Sequence, residues 1–165
     1  MNEAGNNMIS CIVFTVEGQC FAINTDDCVR IIRACAITTL TKAPDIVVGV
    51  IDFHGSIVPI VSPRILFNFP YKTLQLSDYF LLCHTKRWHI GLIIDSAKDV
   101  VTLNADMITK TEDLFYGVKY IKGLMKLNEE IVLINDLDAL LSHRDYEALS
   151  KLLKNAGAIS GSSVS

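Results

Sequence analysis

The chain has 165 residues, of which 50% are hydrophobic and 20% are charged, and its formal net charge is −3. This composition predicts a folded core and excludes a disordered chain. The negative charge argues against a basic surface that follows phosphates, so nucleic acid is not an expected partner. Every apolar run is far shorter than the roughly 20 residues that span a bilayer, and the N-terminus lacks a secretory signal. We therefore expect a cytoplasmic protein without direct membrane insertion.

The cysteines fit that location. They are five in number and contain no Cys-x-x-Cys pair. Free cysteine behaves as a small hydrophobic residue, and the cytoplasm keeps it reduced. We interpret as structural thiols Cys11, Cys20, Cys28, Cys35 and Cys83.

The first half of the chain has the pattern of short strands separated by turns. His54-Gly55 joins two apolar runs, Ile46–Phe53 and Ser56–Val61, and a two-residue loop that ends in Gly predicts a tight hairpin. After Pro63, a single helical turn is expected at Arg64–Phe67. The predicted strands are, in order, Cys11–Val16, Cys20–Ile23, Asp26–Ala34, Ile46–Phe53 and Ser56–Val61.

The second half continues with strands and ends in a helix. Thr109–Val118 is aperiodic and predicts a loop or a short helix. Apolar residues after Asp136 recur at helical spacing, and Ser142 with Asp145 forms an N-cap pair before a helix at Arg144–Asn155. Residues 1–10 are expected to be flexible and residues 156–165 disordered. The predicted strands are Tyr79–Thr85, Trp88–Ile94, Lys98–Leu103, Ile121–Leu127 and Ile131–Asn135.

The two halves of the chain resemble each other at an offset of 74 residues. Each half has a Gly-containing strand, a hairpin, a second strand and a helical turn. The matching positions are Gly49 with Gly123, Ile57-Val58 with Ile131-Val132, Ile60 with Ile134, and Leu66-Phe67 with Leu140-Leu141. This repeat predicts a mostly β fold of two small, similar barrels that share one interface, roughly residues 11–75 and 76–135 within a domain of residues 11–155.

No catalytic pattern accompanies these strands. The sequence has neither a nucleophile motif nor a phosphate-binding glycine motif, so we expect no enzyme activity and no cofactor. Cys83, His84 and His89 are close in sequence, but adjacent strand residues point to opposite faces, so no metal site is expected. A small metal- or ligand-binding barrel that uses these three residues stays as a remote alternative. The large apolar fraction instead favours a module that binds other proteins.

The segment Val48–Arg64 carries a family resemblance. Its Gly-containing strand, its tight turn, its Ile57-Val58-Pro59-Ile60 strand and its Arg64 resemble the CheW-like coupling proteins of bacterial chemosensory arrays. Other blocks match in order and spacing, so the resemblance runs from about Ile12 to Leu153. These blocks are Phe14–Ile23, Gly91–Asp95 and Ile131–Asn135 with Leu140-Leu141.

The resemblance implies a fold of two intertwined five-stranded, SH3-like β-barrels with a C-terminal helix. It also implies a function, which is to bridge the cytoplasmic tip of a chemoreceptor to the regulatory domain of the histidine kinase CheA at membrane receptor arrays. The receptor's helical hairpin would lie between the barrels and meet Cys28, Ile31 and Val58, with Arg64 and His54 fixing its orientation. The second barrel would pair with a like barrel of the kinase. The alternatives are a CheW-like module for pilus or gliding motility, and a competitor of the main adaptor.

The resemblance also implies which residues contact partners. His54 stands where the family usually has the turn Arg, and Arg30 stands at a position that is often acidic. Both exchanges change the charge that a partner meets. The predicted partner-binding residues are Cys28, Arg30, Ile31, Asp52, His54, Val58 and Arg64, and the predicted structural turn glycines are Gly49, Gly55, Gly91 and Gly123.

Overall fold

The computed structural model describes residues 7–110 and 120–155. Most of the loop predicted at Thr109–Val118, most of the flexible N-terminus and all of the C-terminal tail lie outside the described residues. Within them the chain forms eleven strands and two α-helices: β1 (Met8–Val16), β2 (Gln19–Asn24), β3 (Cys28–Arg33), β4 (Val47–Phe53), β5 (Ser56–Val61), α1 (Pro63–Leu66), β6 (Tyr79–His84), β7 (His89–Ile94), β8 (Ser96–Asn104), β9 (Thr109–Lys110), β10 (Ile121–Leu127), β11 (Glu130–Asn135) and α2 (His143–Asn155).

The strands form two sheets, in the orders β8-β1-β2-β11-β10-β9 and β3-β6-β7-β5-β4. Each sheet curls toward closure because the chain that leaves one edge strand returns to the other edge. After β3, Thr38 forms a bridge with Val50 of β4, and after β8, the short strand β9 pairs with β10. We call the first sheet the terminal barrel and the second the middle barrel. The mostly β fold with a C-terminal helix is confirmed, although the terminal barrel contains a sixth, two-residue strand.

The barrels interleave along the chain. The terminal barrel combines residues 8–24 with residues 96–135, whereas the middle barrel spans residues 28–94. The expected division into residues 11–75 and 76–135 therefore does not follow the sheets. The reason is that two parallel pairings join distant hairpins, since β11 pairs with β2 and β5 pairs with β7. Each hairpin of the 74-residue repeat thus completes its barrel with a hairpin from the other half of the chain.

The apolar residues divide into three clusters, one inside each barrel and one between the barrels. Alternation along a strand decides which cluster a residue joins. Val13 lies inside the terminal barrel and its neighbour Phe14 lies in the central cluster. In the middle barrel, Leu82 points inward and Leu81 points to the central cluster. The central cluster is therefore the shared interface of the two barrels, built from strands that are buried on both faces.

The C-terminal helix confirms the predicted cap and begins one residue earlier than predicted. The backbone N–H of Asp145 donates to Ser142 Oγ, and that of Ser142 donates to Asp145 Oδ2, both at 3.1 Å. Asp therefore takes the place that Glu or Gln usually has in this reciprocal pair. Tyr146, Leu149 and Leu153 anchor the helix on the central cluster.

Most of the other predicted elements differ from the observed ones by one to three residues at an end, and β1 begins at Met8, inside the N-terminus that was expected to be flexible. The third strand begins at Cys28 rather than at residue 26, because Thr25–Asp27 forms a 3₁₀ turn. The helical turn after β5 is Pro63–Leu66, with Pro63 at its first position, where a missing N–H costs no hydrogen bond.

Candidate partner-binding site

The predicted contact residues of β3 lie on an edge strand. Cys28 and Ile31 are partly buried against the central cluster, whereas Arg30 is exposed. The register with β6 shifts between Cys28 and Arg30, which is the mark of a β-bulge at Val29. Val29, at the bulge, is 45% exposed, whereas Cys28 and Ile31 on the same strand pack against the central cluster.

The turn between β4 and β5 places His54 and Asp52 in solvent. His54 and Gly55 have φ values of 52° and 86°, as the type I′ turn of a two-residue hairpin requires. The N–H of Gly55 donates to Asp52 Oδ1 at 2.8 Å. Asp52 therefore braces the turn that presents His54, and the positive φ of residue 55 favours Gly at that position.

His54 and Val58 line one small groove at the end of the middle barrel. The groove encloses about 190 Å³. Its His89 is partly buried, and both this burial and the neighbouring His84 lower the pKa of His89. The groove thus combines an apolar floor with the side chains of two histidines. We call it the middle groove, and its lining is Val29, Phe53, His54, Ser56, Val58, Leu82 and His89.

Arg64 lies elsewhere and is only 9% exposed. Its guanidinium forms an ion pair with Glu17 and donates to both oxygens of Asp95, at 3.1 and 2.8 Å. It also donates to the carbonyl of Pro70 at 3.3 Å. Burial alone would lower the pKa of Arg64, but the hydrogen bonds to Asp95 and Glu17 raise it. The predicted residues therefore do not form one patch, because Arg64 is paired with its neighbours and lines a separate pocket of about 440 Å³, beside Phe69 and Tyr71, instead of the middle groove.

Only one of the four predicted turn glycines lies in a turn. Gly55 does, whereas the other three lie within strands β4, β7 and β10. A Cβ atom on Gly49 would lie 2.3 Å from the carbonyl oxygen of Thr38, and one on Gly123 would lie 2.5 Å from Cγ2 of Ile108. These glycines allow the close backbone approach that completes each barrel.

The terminal barrel has an equivalent groove that the site prediction missed. It encloses about 430 Å³, and we call it the terminal groove. At its rim Lys98 Nζ lies 3.2 Å from Glu130 Oε2, and Cys20 Sγ donates to the same oxygen at 3.1 Å. The lining is Val13, Lys98, Asp99, Val101, Leu127, Asn128, Glu130 and Val132.

The 74-residue repeat is the signal that predicts this second groove. It maps lining residues of the middle groove onto those of the terminal groove: Phe53 on Leu127, His54 on Asn128, Ser56 on Glu130 and Val58 on Val132. The two parallel pairings extend the match. Ile60 and Ile134 are equivalent in the repeat, and each pairs with a hairpin from the other half of the chain, Ile60 with Gly91 and Ile134 with Ala22.

The residues of the alternative metal site point in different directions. Cys83 is fully buried, and burial raises the pKa of its thiol well above the ordinary value, whereas His84 is exposed. Among residues 7–110 and 120–155, no group of three or more His, Cys, Asp or Glu side chains is arranged to hold a metal ion. In the same residues, no helix is long and apolar enough to cross a membrane.

Comparison with known proteins identifies the family. The family model described as CheW-like domain matches residues 10–145. The chain belongs to the CheW-like domain family. It is 23% identical over 146 residues to chemotaxis protein CheW of Klebsiella aerogenes, covering 87% of this chain and 88% of that protein. It is 26% identical over 130 residues to chemotaxis protein CheW of Thermotoga maritima, covering 78% and 84% of the two chains.

A solved structure shares the fold. The crystal structure of the scaffolding protein TtCheW from Thermoanaerobacter tengcongensis superimposes with a TM-score of 0.75 and covers 83% of this chain and 90% of its own. Sequence identity in that comparison is 17%. The resemblance predicted from Val48–Arg64 is therefore confirmed, and the low identities fit a divergent CheW-like adaptor of chemotaxis signal transduction.

Proposed function

We propose that this protein couples the cytoplasmic tip of a chemoreceptor to the regulatory domain of a CheA-type histidine kinase, through protein contacts and without catalysis. The observation that carries the proposal is the family match over residues 10–145. The named relatives are chemotaxis proteins, and the match to this chain covers most of their length, which supports a place in a chemotaxis complex. In this proposal the protein acts in the cytoplasm, beside the membrane that holds the receptors, and residues 11–155 act as one unit.

The second barrel predicted to meet the kinase, residues 76–135, does not correspond to one sheet. The contact surface that we propose for the kinase instead is the middle groove. Its apolar floor, formed by Phe53, Val58 and Leu82, accepts an apolar side chain, and His54 stands at its rim. Such a pocket, with a central apolar anchor and a polar edge, is the usual form of a binding hot spot. For the receptor we propose the strip of β3 at Cys28 and Ile31, which borders the central cluster between the barrels.

The test is a calorimetric titration of the full chain with the kinase regulatory domain from the same cell. We expect micromolar or tighter binding, and we expect Val58→Asp to weaken it at least tenfold because a buried, unpaired charge is costly. Met125→Asp, at an equally buried position inside the other barrel, is the matched control for destabilisation. A folded wild-type chain that does not bind the kinase domain would contradict the coupling role and favour a competitor or a module of another chemosensory pathway.

A further inference from the structure

Arg64 ties the middle barrel to a turn of the terminal barrel. The residue lies in α1, directly after β5, and its guanidinium reaches Glu17 in the turn between β1 and β2. Asp95 completes the contact, since it accepts from Arg64 and also from the backbone N–H of Glu17 at 2.9 Å. The backbone N–H of Asp95 donates to the carbonyl of Thr15 at 2.9 Å. Three charged side chains therefore fasten the tip of a terminal-barrel hairpin to α1.

Asp138 makes the reciprocal contact. It follows β11 in a 3₁₀ turn and lies 74 residues after Arg64, which is the offset of the internal repeat. Its Oδ1 accepts the backbone N–H of Lys86, in the turn between β6 and β7 of the middle barrel, at 2.8 Å. The helical turn after β5 and the 3₁₀ turn after β11, which are equivalent in the repeat, thus each hold a hairpin tip of the other barrel. The polarity is opposite, because Arg64 donates where Asp138 accepts.

We propose that Arg64, with Glu17 and Asp95, is a positioning group that fixes one barrel against the other, and that it supports receptor binding through this contact rather than by touching the receptor. This inference rests on the proposed function. A receptor tip that lies between the barrels contacts both, so its affinity depends on how they are placed. A kinase domain that contacts one barrel has no such dependence.

Direct contact with the receptor and positioning of the barrels predict different effects when the carboxylates that bind Arg64 are changed. If Arg64 contacts the receptor directly, Glu17→Gln removes one of the two carboxylates that compete for its guanidinium and leaves receptor affinity unchanged or raises it. If Arg64 positions the barrels, Glu17→Gln and Asp95→Asn weaken receptor binding as Arg64→Ala does. The effects then do not add in the Arg64→Ala/Glu17→Gln double variant, because residues of one network act as a unit.

The experiment titrates the full chain, and each variant, with two probes from the same cell: a soluble cytoplasmic fragment of a chemoreceptor and the kinase regulatory domain. We expect Arg64→Ala, Glu17→Gln and Asp95→Asn each to weaken receptor binding by about tenfold and to leave kinase binding within about twofold. Arg64→Lys keeps the charge but loses the two-pronged geometry, so it restores affinity only in part. Asp138→Ala, which removes one exposed hydrogen bond, has a smaller effect on receptor binding.

Two control variants separate positioning from general destabilisation. Glu129→Gln changes another glutamate with positive φ in a terminal-barrel hairpin turn, where it is 91% exposed, and we expect it to leave both affinities unchanged. Met125→Ala lowers stability inside the terminal barrel without touching the network, and we expect normal receptor affinity. Unchanged receptor binding by Glu17→Gln would overturn the inference while the coupling role stands. A wild-type chain that binds neither probe would overturn the coupling role and this inference with it.

Discussion

The two barrels repeat one pattern of strands but carry different chemistry at equivalent points. In both, the register of the hairpin that contains the glycine shifts just before that glycine. The shift lies between Val47 and Gly49 in the β4–β5 hairpin and between Ile121 and Gly123 in the β10–β11 hairpin. In both, the edge strand has a bulge, at Val29 in β3 and at Lys98 in β8. Bulges of this kind prevent an edge strand from pairing with another chain. The shared features are therefore those that close and protect each barrel.

The differences lie in the grooves. Where the middle groove has His54 and Ser56, the terminal groove has Asn128 and Glu130, and Glu130 forms an ion pair with Lys98 across its rim. Backbone geometry is common to both grooves, so the grooves differ in the side chains at their rims. The comparison teaches that the residues that close the barrels and the residues that distinguish the grooves are separate sets.

The largest expected difference between the barrels concerns their glycines. Gly49→Ala puts a methyl group against the backbone oxygen of Thr38, whereas Gly123→Ala meets the movable methyl group of Ile108 as its nearest atom. We expect Gly49→Ala to lower the free energy of unfolding by about 3 kcal/mol and Gly123→Ala by about 1 kcal/mol. Urea denaturation of both variants measures this, and Gly18→Ala, where no atom lies within 4 Å but φ is +75°, measures the cost of backbone strain without a steric clash. Equal losses at Gly49 and Gly123 would contradict the comparison.

The next largest difference concerns the two contacts between the barrels. Arg64→Ala leaves Glu17 without its cation and leaves Asp95 only a longer contact with Lys72, at 3.8 Å, and the Arg64 side chain is only 11% exposed. We expect a loss of about 2–3 kcal/mol. Asp138→Ala removes one solvent-exposed hydrogen bond, and we expect about 0.5–1 kcal/mol. If thermal unfolding shows the two variants to be equally stable, the Arg64 contact is not the stronger one.

Helix α2 covers the central cluster, which both barrels share, and a variant of its N-cap tests how much this helix contributes to stability. Ser142→Ala removes the acceptor for the N–H of Asp145. We expect a loss of about 1 kcal/mol with no change inside either barrel. Ser142→Asp, which also caps, is the matched control and should keep wild-type stability. Circular dichroism during thermal unfolding measures both variants.

The smallest expected effect is the pH dependence of stability that His89 gives to the middle groove. Burial and His84 lower the pKa of His89 in the folded protein from its ordinary value of 6.5. The unfolded chain therefore binds more protons at and below pH 6.5, so stability contributed by neutral His89 is lost as the pH falls through this window. We expect His89→Gln to reduce the loss of melting temperature between pH 7 and about pH 5.

Part of the binding surface was predictable from the sequence, and part was not. The β4–β5 turn carries its own evidence, because Gly55 after His54 specifies the hairpin and Asp52 is near enough to brace it. The same hairpin brings Val58 into the middle groove beside His54. The environment of Arg64 was not predictable, since its partners Glu17 and Asp95 come from positions 47 and 31 residues away. No local pattern joins such residues.

The sequence by itself determined the strands, their hairpins, the cap of α2 and the family. Those features depend on neighbours a few residues apart, through alternation, turn residues and capping side chains. Only the tertiary structure decided which hairpins complete which barrel, because parallel strands are joined by no tight turn and leave no mark in local sequence. Gln19 Nε2, for example, donates to the carbonyl of Ile131 across 112 residues. That pairing interleaves the barrels and brings Arg64 to the hairpin that it holds.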